Sequence, residues 1–95
     1  MRDYELVMVL NPNVPEEQVP GTVEKVTRVV AEKGGTITEV KPWGRRRLAY
    51  PIRQQREGFY VLASLKMEPA LATQLEKQLR VTEEVIRHLL VCLEE

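Results

Sequence analysis

The sequence predicts an α+β fold: a ferredoxin-like βαββαβ sandwich, with two helices on one face of a four-stranded antiparallel sheet. Three observations lead there. Two segments carry apolar residues at helical spacing, and four others alternate or run apolar as strands do. Their order is strand, helix, strand, strand, helix, strand. The length of 95 residues suits one domain with a modest core, so residues 1–95 are expected to form a single unit.

The first strand is Arg2–Leu10. Tyr4, Leu6, Met8 and Leu10 recur at period two, and Val7 and Val9 make the other face apolar as well. A strand apolar on both sides belongs in the middle of a sheet. Asn11-Pro12-Asn13 ends it, because Asn and Pro form turns and Pro12 has no backbone donor. Pro15, Glu16 and Glu17 read as a helix start, the acids lying where the helix dipole favours negative charge. Val19, Val23, Val26 and Val30 form one helical face. Pro20 and Gly21 place the regular start near Thr22, and Gly34-Gly35 supplies the end.

Residues 36–41 read as the second strand, and Pro42 points to an edge position or a bulge. Residues 43–52 continue extended, residues 54–58 form the polar tip of a hairpin, and residues 59–67 return as the third strand. There Val61, Ala63, Leu65 and Met67 share one face, Tyr60, Leu62 and Ser64 the other. Pro69 opens a second helix with Leu71, Leu75 and Leu79 as its apolar stripe. Thr82-Glu83-Glu84 connects to a fourth strand over residues 85–93. Right-handed crossovers place the first and third strands in the centre of the sheet.

Composition removes several classes. No stretch approaches the ~18–20 apolar residues of a membrane span. Met1-Arg2-Asp3 leads straight into a strand, so no signal peptide and a cytoplasmic location are expected. A lone Cys92 and a lone His88 make neither a disulfide nor a zinc site. No glycine fingerprint for a dinucleotide or nucleoside triphosphate is present. By alternation His88 shares a face with Ile86, Leu90 and Cys92, where a packed side chain is expected rather than a base. Cys92 is read as a small hydrophobe. No catalytic residue, cofactor, metal or small-molecule substrate is expected.

Helices cover only one side of such a sheet. Val7, Val9, Tyr60, Leu62, Leu89 and Val91 should therefore form an apolar face without cover, a feature that marks a partner. The bland alternative is shielding by long polar side chains such as Arg87, which also counts as a candidate contact.

Net charge is zero, with 14 basic and 14 acidic residues, yet the distribution is uneven. Residues 41–56 hold six basic side chains (Lys41, Arg45, Arg46, Arg47, Arg53, Arg56) and no acid. On an extended chain Arg45 and Arg47 point one way and Arg46 the other. Guanidinium forks match phosphate oxygens, and Trp43 or Tyr50 could stack on exposed bases. Against this, charge on an edge strand also guards against aggregation, and Trp43 and Tyr50 could simply close the core.

Tyr4-Glu5, Leu10-Asn11-Pro12 and above all Gly44-Arg45-Arg46-Arg47-Leu48-Ala49-Tyr50-Pro51-Ile52 resemble the bacterial small-subunit ribosomal protein number six family. The resemblance spans essentially the whole chain. It implies a structural constituent of the small ribosomal subunit, paired with small-subunit ribosomal protein eighteen. The pair would bind the central domain of small-subunit ribosomal RNA during platform assembly, without catalysis. Carried over by motif, Arg45, Arg46, Arg47 and Tyr50 are expected near RNA or partner, and Arg2 and Tyr4 match the family's opening. Arg53 and Arg56 are candidates on charge alone.

Two other functions use the same fold. A free-standing RNA-recognition module would stack bases on the sheet, but residues 57–64 echo its aromatic signature only faintly. A small-molecule regulatory domain would use Gly34-Gly35 as a ligand loop at a dimer interface.

Overall fold

The computed structural model describes residues 1–52 and 55–93. Its elements are β1 (Arg2–Leu10), a single 3-10 turn (Glu16–Gln18), α1 (Val19–Glu32), β2 (Thr36–Ile52), β3 (Gln55–Met67), α2 (Leu71–Val81) and β4 (Val85–Leu93). The strands form one antiparallel sheet in the order β2-β3-β1-β4. The two split βαβ halves thus interleave, and the fold is the ferredoxin-like one.

The core follows from alternation. Tyr4, Leu6, Met8 and Leu10 of β1 lie opposite Leu65, Ala63, Val61 and Phe59 of β3. All eight are buried, together with the α1 stripe Val19, Val23, Val26 and Val30 and the α2 stripe Leu71, Leu75 and Leu79. Two buried hydroxyls in α1 stay satisfied within the helix: Thr22 donates to the Gln18 carbonyl and Thr27 to that of Val23. Lys25 of α1 reaches Glu84 ahead of β4 at 2.9 Å.

α1 starts at Val19, three residues earlier than expected. Pro20 falls in its first turn, where no backbone donor is required, so it does not delay the helix. The expected helix start at Pro15 is only the short 3-10 turn. The C-terminus closes as a Schellman motif. Gly34, at φ +90°, donates to the Ala31 carbonyl, and Gly35 donates to that of Val30.

Pro42 meets both expectations, since β2 is an edge strand and its register slips between Pro42 and Gly44. The hairpin is longer than the sequence implied. β3 begins at Gln55, so Arg56, Glu57 and Gly58 are strand residues, and Ile52 pairs with Gln55. The remainder of the expected tip, Gln54 with its neighbour Arg53, lies outside the described residues.

Alternation also fails between β1 and β4. The register between β1 and β4 shifts after Val9, so Val9 opposes Arg87 and Leu10 opposes Val85. Ile86 is the extra residue of that bulge and packs with Val9 and Leu48, away from the His88 face on which alternation had put it.

Candidate nucleic-acid interface

Arg45, Arg46 and Arg47 lie on edge strand β2, opposite Phe59, Gly58 and Glu57 of β3. All three are exposed. Among the described residues none of them, nor Arg56, makes an ion pair. Lys41 differs, because Glu39 sits 3.0 Å from its amine. The free positive charge of the segment therefore begins at Arg45. Arg56 lines one surface groove with Arg47 and Tyr50, which brings a charge-only candidate to the motif.

The bulge at Pro42 and Gly44 turns Trp43 onto the open face of the sheet. Its ring stacks with Tyr60 of β3, with centroids 6.5 Å apart and planes 16° from parallel. The Arg46 guanidinium lies 5.8 Å from the Trp43 centroid. Tyr60, Trp43 and Arg46 thus form one continuous stack. Trp43 is not folded into the core, since 45% of it stays exposed, and Tyr50 is exposed at 56%.

Arg87 holds Tyr50. Its Nη1 donates to the Tyr50 hydroxyl at 2.7 Å. Shielding of the apolar face is thus not its whole part, and Leu89, Val91 and Leu93 beside it stay exposed at 58%, 40% and 47%. The open face is nonetheless smaller than expected. Leu48 covers Val9 at the hairpin end and is itself buried with Ile86, while Tyr60 packs against that group. Leu48 and Ile86 were not singled out in the sequence. The available signal was an apolar residue inside a basic run, two positions from Arg46 and therefore on its side of the strand.

Two expected contacts lie elsewhere. Tyr4 is a core residue: alternation puts it with Leu6 and Met8 under the helices, and only 6% of it is exposed. Burial, and the Cys92 thiol opposite it, push its phenol above the usual range. It cannot face RNA. Arg2 is exposed but pairs with Met67 at the far end of β1, about 25 Å along the strand from the hairpin end. The fold does not bring it to the arginine run. Arg53 lies outside the described residues.

His88 is partly buried, with Nε2 4.0 Å from a Glu76 carboxylate oxygen on α2. Cys92 is exposed rather than packed, because burial fades along β4 from Val85 to Leu93. Among the described residues no group of His, Cys, Asp or Glu could hold a metal ion. No helix among them is long and apolar enough to cross a membrane.

Comparison with known proteins fits this geometry to a family. The profile of the family described as ribosomal protein S6 matches residues 3–92. The small ribosomal subunit protein bS6 of Moorella thermoacetica is 44% identical over 95 residues, covering 100% of this chain and 97% of that protein. The same-named protein of Dehalococcoides mccartyi is 41% identical over 95 residues, with 100% and 87% covered. The crystal structure of 30S ribosomal protein S6 from Thermotoga maritima superposes with a TM-score of 0.90 at 34% identity, over 97% of this chain and 87% of that one. The C-terminal domain of the MgtC protein from Mycobacterium tuberculosis shares the fold alone, at a TM-score of 0.66 and 12% identity.

Proposed function

The chain belongs to the ribosomal protein S6 family and is a structural component of the small ribosomal subunit, and from that premise we propose that it binds the central domain of small-subunit ribosomal RNA as a pair with ribosomal protein eighteen. The observation that carries this reading is the edge of β2. Three consecutive arginines without an ion pair among the described residues stand beside an apolar sheet face whose outer residues, Leu89, Val91 and Leu93, are exposed. Guanidinium groups on an exposed edge suit phosphate oxygens, which a folded RNA presents in any sequence. The exposed Leu89, Val91 and Leu93 suit a protein partner, which gains by burying them.

The division of labour follows from placement. Residues 45–47 and Arg56 engage RNA, and the outer half of the open face engages the partner. Its role is architectural, with no reaction to perform. A domain of zero net charge holds RNA weakly through so few arginines, so a partner that adds contacts raises affinity without a second loss of association entropy.

The test is a binding titration of the chain against a central-domain RNA fragment, with and without ribosomal protein eighteen. Arg46→Ala and Arg47→Ala should each weaken the complex by about 1–3 kcal/mol while leaving the fold intact. Unchanged affinity in both variants overturns the assigned site. A free-standing RNA-recognition module would instead bind short single strands alone, through Tyr60. The stack of Trp43 against Tyr60 leaves that ring poorly placed for a base.

A further inference from the structure

β2 and β4 are the outer strands of the sheet, with β3 and β1 between them. In a flat sheet their backbones would stand about 14 Å apart. Yet Arg87 of β4 hydrogen-bonds Tyr50 of β2 at 2.7 Å, and its guanidinium carbon lies 5.8 Å from the Tyr50 centroid. The hairpin end of β2 and the start of β4 are therefore joined side chain to side chain across the open face.

Leu48 is the second point of closure, packed against Val9 and Ile86. Gly58 permits the approach, because a Cβ there would run into Val9 Cγ1 and stand 3.6 Å from Leu48 Cδ2. The β4 bulge supplies the other half. It turns Ile86 to this face against Leu48, next to Arg87, which alternation already places there against Tyr50.

We infer that Arg87 is a positioning residue: through Tyr50 it fixes the hairpin that presents residues 45–47, and it does not itself contact RNA. This rests on the RNA reading proposed above. Tyr50 lies just beyond residues 45–47 on the same strand, so a hairpin released at Tyr50 swings the arginines with it. Ordering them beforehand lowers the entropy lost on binding.

The test uses the full chain in two measurements. Backbone amide exchange of the free protein reads the hairpin directly, over residues 45–50 and 55–58. Affinity for the central-domain RNA fragment, with ribosomal protein eighteen present, reads the consequence. Arg87→Ala and Tyr50→Phe should each speed exchange there and each weaken RNA binding about threefold to tenfold. The double variant should be no weaker than the worse single one, since both remove one contact.

Unchanged exchange overturns the inference. So does faster exchange with RNA affinity unchanged, while Arg47→Ala still weakens binding. Additive losses, with Arg87→Ala alone flattening the salt dependence, would make Arg87 a direct phosphate contact and also overturn it. If Arg46→Ala and Arg47→Ala both leave affinity unchanged, the RNA site proposed above has failed, and the exchange data still report whether the hairpin is held.

Discussion

Three glycines of and after α1 occupy different surroundings, and their alanine variants should separate accordingly. At Gly35 a Cβ would stand 2.5 Å from Val30 Cγ1 and 2.9 Å from the Lys66 carbonyl oxygen, and that backbone oxygen cannot yield cheaply. Gly35→Ala should cost about 1–3 kcal/mol through overpacking. Gly34→Ala meets open space but must hold φ near +90°, at a cost of about 1–2 kcal/mol. Gly21 also meets open space, without that constraint, and Gly21→Ala should stabilise by about 1 kcal/mol as an exposed helical position. Urea denaturation of the three variants checks the order; equal midpoints would show that the Schellman turn relaxes freely. Glu84 carries a smaller, pH-dependent term. Its bond from Lys25 holds its carboxyl below the usual carboxylate range. A folded pKa below the unfolded one adds stability that is complete above the unfolded pKa and fades as pH falls through the folded value. Glu84→Gln should therefore lower stability at neutral pH and have little effect in acid. The difference should be under about 1 kcal/mol, because the pair is partly solvated.

The two apolar clusters should differ in how much each stabilises. Leu75 of α2 is fully buried in the main core, while Leu48 of β2 lies in the small group with Val9 and Ile86. Leu75→Ala should cost about 3–5 kcal/mol and Leu48→Ala about 2, because a shallow site collapses more readily around the missing atoms. Comparable losses in thermal unfolding would mean that the hairpin end is as tightly packed as the core. This contrast also marks what could be read from the sequence. β1, β3 and both helices are legible because each repeats one period over three or more buried residues, as in Leu71, Leu75 and Leu79. Pro42 announces its edge strand for an equally local reason. The bulge at Ile86 is not legible, since it depends on register against β1, and no signal within residues 85–93 encodes it. From that one shift follows the unseen cluster around Leu48, whereas Arg87 reaches the open face by ordinary alternation with Leu89 and Val91. The arginine run was visible as composition. The burial of Tyr4 was already implied by its period with Leu6 and Met8, but the family motif pointed the other way.

Charge is organised at the scale of the whole molecule. Net charge is zero, yet outside residues 41–56 the chain carries eight basic and fourteen acidic side chains. Pairs such as Lys25 with Glu84 and Lys66 with Asp3 use part of that remainder. Residues 45–47 and Arg56 concentrate positive charge on the hairpin, where Glu57 opposite Arg47 is the one neighbouring acid of β3, so a polyanion meets a largely positive edge backed by a negative body. Such an arrangement orients the protein on RNA and penalises every other approach. It also fixes the salt dependence. Four arginines neutralising phosphates outside a regular duplex should give log affinity against log salt a slope of about −3. The Arg46→Ala, Arg47→Ala double variant should flatten it to about −1.4, at whatever affinity the partner sets. The partner's apolar contact moves the affinity but adds little slope of its own, because burying Leu89, Val91 and Leu93 releases no counterions. A titration series from about 50 to about 300 mM salt, over which the Debye length falls from about 14 to about 6 Å, checks this. A slope unaffected by the double variant would mean that these arginines meet something other than phosphate, and would return the β2 edge to a guard against strand pairing.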